Sequence, residues 1–302
     1  MQALYAFFQS EINDLERGEK ELFISLRKIY ELYIYLLMLI LEISDMDRNN
    51  AEEALARQQP GRFGLEKKRI FENSFGPILQ NNYEFKKAIA DYKLSWQKEQ
   101  EVVRNIYLQI KKTDAYLNYT SSSENSIQED ATFFSQAFQD IASKSEFLEN
   151  QLEEQSIHWG ENFQFACKMV LRTIQDISDK SEGFQLLKLF KDPEDDSEFA
   201  KILFRKMVNN DKEYTAMIVE KTLNWEVDRI ALMDVILIKM CICEITNFSQ
   251  IPIKVSINEY IEISKEYSSP KSKQFINGIA DKIVKEMKEQ GIIKKTGRGL
   301  LE

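Results

Sequence analysis

Glycine and proline are scarce in this chain, at 10 and 5 of 302 residues, where average usage would give about 21 and about 15. Hairpin-rich folds need both, because glycine supplies positive φ and proline pre-sets turns. Their scarcity excludes a fold built on tight turns and favours long helices. Histidine occurs once, at His158, so a His-based nucleophilic or zinc site lacks partners. Cysteine occurs three times, at Cys167, Cys241 and Cys243. An odd count without framework spacing points to a reducing compartment, the cytoplasm. Cys241 and Cys243 lie two apart on a helical pattern and point about 200° apart, so they read as buried apolar thiols. No glycine-rich phosphate loop follows a strand pattern, and GRFG at 61–64 matches no nucleotide motif. The acids Asp192, Glu194, Asp195, Asp196 and Glu198 lack the glycine and distal glutamate of a calcium loop. No cofactor or catalytic residue is expected.

Long apolar runs are also missing. The most apolar stretch, Leu32 to Leu41, is too short for a bilayer, which needs about 20 residues. With Arg27, Lys28 and Glu31 in the same helical pattern, it reads as a buried helix, and no membrane partner is expected. The start, MQALYAFFQS, has no basic n-region and no small-residue cleavage site.

What is present is a core's worth of apolar residues, 43% of the chain with 19 Phe and 12 Tyr, and a net charge of −9. That charge argues against a chain coated in nucleic acid. It is uneven, however. Residues 254–302 hold ten Lys/Arg against seven Asp/Glu, a local basic surface suited to focused RNA contact.

Helical periodicity dominates. Met1, Leu4, Tyr5 and Phe8 share one face from the first residue. A long helix is expected over 19–43, with Leu22, Leu26, Ile29, Tyr33, Leu36 and Ile40 inward. Further helices are expected at about 83–93, 96–116, 131–154, 160–177, 198–209, 211–223 and 226–247. The Ser-rich stretch 118–130 reads as a loop, and 191–198 as an acidic break with Pro193 near a helix start. The 226–247 helix is apolar nearly all round and should be central in a bundle, with Asn224 as N-cap and Trp225 packing beside it. A capping box, Ser256-x-x-Glu259, would start the next helix. The last starts near Ser269 or Ser272 and stops at Gly291, leaving a loose, basic tail.

Between the last two helices, Ser268-Ser269-Pro270-Lys271-Ser272-Lys273-Gln274 offers helix N-terminal amides, hydroxyls and two ammonium groups, which together attract an anion. Tyr267 and Phe275 are placed to stack unpaired bases. A serine-capped surface helix with ordinary lysines has the same pattern, so spacing alone leaves both readings open.

Particular residues go further. Ile251-Pro252, Val255, Ile257-Asn258-Glu259, Ser272, Phe275-Ile276-Asn277-Gly278 and Asp281, with Gln2-Ala3-Leu4-Tyr5 at the start, resemble the NusB family of transcription antitermination factors. The resemblance covers 1 to about 15 and about 197 to 288. It implies an all-α, NusB-like helical bundle with an additional inserted helical region. The expected parts are a first helix of the core at 1–15, an insertion at 16–196 and a C-terminal core at 197–302. The resemblance further implies a non-enzymatic protein that binds boxA-type single-stranded RNA with NusE, a small-subunit ribosomal protein. That pair joins an RNA polymerase antitermination complex and supports ribosomal RNA synthesis. Carried over position by position, Gln2 and Tyr5 would lie at the RNA edge of the first helix, and Lys271, Ser272, Lys273 and Phe275 would form its second part.

One departure stands out. The family carries an arginine-rich run before Q-A-L-Y, and this chain begins inside that helix. The expectation is that the native product starts upstream of Met1, and that RNA binding without the run is weakened. Two other readings compete. NusB-like domains also resemble the front of some RNA cytosine methyltransferases, which need a further cofactor domain and a catalytic cysteine. A helical interaction scaffold with weakened RNA binding is the other alternative.

Overall fold

A computed structural model describes residues 1–10, 14–56, 70–179, 184–222 and 230–300. Among these there are fourteen α-helices and no strand. They are α1 (Gln2–Gln9), α2 (Leu15–Ala56), α3 (Phe75–Asn81), α4 (Tyr83–Tyr92), α5 (Gln100–Ile110), α6 (Asp114–Ser121) and α7 (Ile127–Asp140), then α8 (Glu146–Gln155), α9 (Ile157–Asp179), α10 (Pro193–Asn209), α11 (Asp211–Lys221), α12 (Leu232–Asn247), α13 (Ile253–Tyr267) and α14 (Ser272–Glu289). The chain divides into two compact units, one of Met1–Phe23 with Phe190–Glu302 and one of Ile24–Leu189. The all-α class implied by the resemblance is what the described residues adopt.

Local chemistry sets the helix starts. Side-chain oxygens of Asn82, Thr113, Ser126 and Ser145 accept from the amides of Phe85, Tyr116, Glu129 and Leu148, capping α4, α6, α7 and α8. Asp192 does the same for the Glu194 and Asp195 amides, and Pro193 fills the first turn of α10. Thr113 explains one difference from the periodicity. The expected helix over 96–116 is two, because this cap starts α6 afresh after α5 ends. The Ser-rich loop shrinks for a similar reason: α6 runs to Ser121 and Ser126 caps α7, leaving 122–126 as the break.

In the 24–189 unit, the Leu32–Ile40 stretch of α2 is wholly buried. No helix among the described residues is long and apolar enough to cross a membrane. Trp96 stacks on Tyr35 with ring centroids 4.1 Å apart. Two buried carboxylates tie distant segments. Asp47 accepts from the Ile70 amide and Tyr107 hydroxyl at 2.9 and 2.8 Å. Asp130 accepts from the Ser74 amide and Tyr119 hydroxyl at 2.7 and 2.6 Å. Each replaces lost hydration with two protein donors, as burial of a carboxylate requires.

In the other unit, α12 is the central element. Residues 236–245 are buried without a break, and α1, α10, α11, α13 and α14 all pack on it. The helix is shorter than its apolar pattern: Ile230 and Ala231 precede it in non-helical backbone. The expected cap and flanking residue, Asn224 and Trp225, lie outside the described residues.

Two expectations for this unit are overturned. Ser256 is not an N-cap, because α13 begins three residues earlier, after Pro252. The serine lies inside the helix, fully buried, and its hydroxyl has no hydrogen-bond partner. Proline's fixed φ suits the edge of a helix, and burying Ile257 and Ile261 places Ser256 on the inner face. Ser256→Ala is therefore expected to leave stability unchanged or raise it by about 1 kcal/mol. A capping box would instead lose about 1 kcal/mol, and urea unfolding separates the two.

The tail is not loose. After Gly291 (φ +67), the Ile292 amide donates to the Met287 carbonyl and the Gly291 amide to Lys288, closing α14 with a Schellman pair. Thr296 then donates its amide to the Ser249 carbonyl at 3.0 Å, and the Lys295 ammonium donates to the Phe248 carbonyl at 3.0 Å. Gly299 passes so close that a Cβ there would meet the Ser249 carbonyl oxygen at 1.9 Å. The Phe248 and Ser249 carbonyls at the α12–α13 turn bind this segment down.

Candidate RNA-binding turn

α13 ends at Tyr267, and Ser268 turns the chain in extended backbone. The Ser272 amide donates to the Ser269 carbonyl at 2.9 Å, and α14 begins. Beneath this turn sits Asp234, in the first turn of α12 and 6% exposed. It accepts hydrogen bonds from the Ser272 hydroxyl, at 2.7 Å, and from the Ser268 hydroxyl. The Ser272 oxygen also lies 2.9 Å from the hydroxyls of Ser268 and Ser269. One buried carboxylate thus holds Ser268 and Ser272 inward, and Ser269 joins them through the Ser272 hydroxyl.

The predicted site residues separate into different environments. Lys271 and Lys273 are exposed. Ser272 is 2% exposed with its hydroxyl committed to Asp234, so it shapes the turn from inside. Phe275 is half-buried and packs against the core of its unit. Tyr267 is half-buried as well. The first turn of α14 contains no acid of its own, so the carboxylate nearest the positive end of its dipole is the buried Asp234 beneath Ser272.

Gln2 is half-buried and Tyr5 is 41% exposed on α1. Leu4 and Phe7 hold that helix down, with Phe7 edge-on to Phe204 at 5.6 Å. The Lys239 ammonium on α12 lies 5.6 Å from the Phe8 ring and 2.5 Å from Asp211 at the start of α11. The structure thus gathers Lys271, Ser272, Lys273 and Phe275 at one helix start, and Gln2 and Tyr5 on one short helix. The two groups are related through α12, on which both helices pack.

Sequence reasoning missed the charged residues of α12 itself. Asp234, Lys239 and Glu244 are each 6% exposed, on a helix read only for its apolar faces. Glu244 accepts from the Tyr260 hydroxyl at 2.7 Å. Burial, with Glu244 beside it, pushes that hydroxyl far above its ordinary range. Burial lowers the Lys295 ammonium, and Glu244 opposes that shift. The available signal was the charges themselves, since an ion on an otherwise apolar central helix requires a partner. The three thiols are free and buried. Burial pushes Cys167 up to about 12 and Cys243 up to about 11, as inert apolar thiols behave. Among the described residues no group of three His, Cys, Asp or Glu side chains is arranged to hold a metal.

Comparison with known proteins bears on the same region. A family model described as "NusB family" matches residues 163–285. Transcription antitermination protein NusB of Salinibacter ruber is 42% identical over 104 residues, covering 34% of this chain and 65% of that protein. Its namesake in Chloroherpeton thalassium is 39% identical over 100 residues, covering 33% and 47%. The one in Clostridium botulinum is 31% identical over 125 residues, covering 41% and 86%. The chain thus spans less than two thirds of the first two relatives' own length. No solved structure matches it. The match to 86% of the clostridial protein at 31% identity shows that this chain belongs to the NusB family.

Proposed function

We propose that this chain is an RNA- and protein-binding transcription antitermination factor. In this reading it binds boxA-type single-stranded RNA together with the ribosomal protein NusE, within an RNA polymerase antitermination complex that supports ribosomal RNA synthesis. The observation that carries the reading is the exposed pair Lys271 and Lys273 at the acid-free start of α14. The turn beneath them is fastened to Asp234. A helix N-terminus whose backbone is already fastened binds phosphate without first being ordered, and the lysines add charge. Gln2 and Tyr5 on α1 form the first part of the RNA edge, and Lys271, Ser272, Lys273 and Phe275 its second, with Phe275 as a flanking ring and Ser272 as the residue that sets the turn. Residues 16–196 are read as an inserted helical region within the family core of 1–15 and 197–302, and the protein as cytoplasmic.

The test is boxA RNA binding, with and without NusE, across a salt series. Lys271→Ala with Lys273→Ala is expected to weaken binding about tenfold. It should also shallow the log–log salt slope by about 1.4, since each phosphate contact to a single strand contributes about 0.7. Unchanged affinity and slope in the double variant would remove these lysines from the site. No gain in RNA affinity on adding NusE would leave a helical interaction scaffold as the better reading.

A further inference from the structure

A second basic surface lies in the 24–189 unit, on α4. Tyr83 opens that helix and is 76% exposed. Lys86, Lys87, Ala90 and Lys93 are exposed as well. At about 100° per residue Tyr83, Lys86, Lys87 and Ala90 form one stripe on the helix face away from buried Phe85 and Ala88, and Lys93 follows at the left-handed end of the helix. With Lys93 the stripe is about 15 Å long and contains no acid. The nearest acids on the helix, Glu84 and Asp91, flank the stripe on one side, about 40–60° around the axis from Lys87. Glu84 is 3.9 Å from the Lys188 ammonium. Helix α3, which packs on α4, carries no charge in its sequence FGPILQN. Neither Lys86 nor Lys87 has an ion-pair partner among the described residues.

The end of the stripe supplies an independent observation. α4 closes with the same Schellman pair as α14: the Leu94 amide donates to the Ile89 carbonyl and the Lys93 amide to Ala90. In α14 the left-handed position of this pair is Gly291. In α4 it is Lys93, at φ 54, the one non-glycine residue of positive φ among the described residues. A side chain there crowds the following carbonyl and costs stability that glycine would not. The chain accepts that cost where it extends the lysine stripe, and backbone strain of this kind collects at functional positions.

We propose that the α4 stripe is a second contact surface for single-stranded nucleic acid, with Tyr83 stacking a base and Lys86, Lys87 and Lys93 holding the phosphates. Aromatic rings beside unpaired cations suit a flexible strand because every base has a π-face and every linkage a charge. This surface stands on different residues from the Lys271–Phe275 turn, so either can fail alone.

The test uses the full chain and a short mixed-sequence RNA oligonucleotide. Ultraviolet crosslinking with peptide mapping should place a nucleotide adduct on Tyr83, and Tyr83→Ala should abolish it. Lys86→Ala with Lys87→Ala and Lys93→Gly is expected to weaken binding about tenfold and to reduce the salt slope by about 2. Lys93→Gly alone should raise the melting midpoint by about 2 °C while weakening binding, a divergence that a purely structural lysine would not give. Adducts confined to the Lys271–Phe275 peptide, with the slope of the triple variant unchanged, overturn the α4 surface and leave the α14 reading standing. Adducts nowhere overturn the α4 surface, while the α14 reading keeps its own test with boxA RNA and NusE.

Discussion

Asp234→Ala is expected to destabilise the chain by about 3 kcal/mol and to loosen the turn that presents Lys271 and Lys273. Asp234 accepts hydrogen bonds from Ser268 and Ser272, and bonds to a charged acceptor contribute about 1.5–3 kcal/mol each. Its charge also favours the first turn of α12 by about 0.3–1 kcal/mol. The sum is discounted because the serine hydroxyls, within 2.9 Å of Ser272, can partly satisfy one another once the carboxylate is gone. Asp234→Asn keeps one carbonyl acceptor and should recover about half of the loss. Urea unfolding measures the stability, and amide exchange at 264–276 reads the turn directly. An alanine variant within about 1 kcal/mol of the parent, with protection at the turn unchanged, would show that the carboxylate fastens nothing. The RNA prediction then separates from it. Lys271→Ala with Lys273→Ala removes the charges but leaves the Asp234 contacts, so stability should hold while the salt slope falls.

How much of this was legible in the sequence follows from the range of the interactions. Periodicity and caps act over three or four residues, and they gave the helical class, the acidic start of α10 and the stop at Gly291. The same local logic misplaced Ser256, because a capping box and a buried inner-face serine share one spacing. Only the packing of Ile257 and Ile261 distinguishes them. The turn at 268–273 was visible as a cluster of hydroxyls and lysines, but the direction of the hydroxyls was not. Asp234 lies 38 residues from Ser272, and no local pattern links them. The tail failed for the same reason: Thr296 finds its acceptor at Ser249, a pairing that arises once α14 has brought the chain back to the α12–α13 turn. Lys93 was invisible too, since nothing in the sequence marks a lysine that will occupy a glycine's backbone conformation.

Trp96→Ala is expected to cost about 4 kcal/mol, the largest loss for a single side chain, and to act on the 24–189 unit. The ring is 1% exposed, and aromatic-to-alanine changes in cores cost about 3–5 kcal/mol through lost transfer energy and the cavity left behind. Two specific contacts add to bulk burial. The indole lies parallel to the Tyr35 ring within 12°, and its N–H donates to the Tyr35 carbonyl at 3.0 Å. Tyr35 is packed on another side by Trp159, 5.1 Å away, so removing one wall leaves its ring without a stacking partner where α2 is most deeply buried. The site resists collapse because the neighbouring Leu36, Leu39 and Ile40 are already fully or nearly fully buried. Trp96→Phe retains most of the area and loses the N–H donor. The Tyr35 carbonyl sits in mid-helix and keeps its backbone environment, so the phenylalanine variant should lose only about 1–2 kcal/mol. Amide exchange in α2 around Tyr35 and in α9 around Trp159 should rise steeply in the alanine variant and modestly in the phenylalanine variant. Equal losses for the two substitutions would mean that the hydrogen bond, not the cavity, carries the effect.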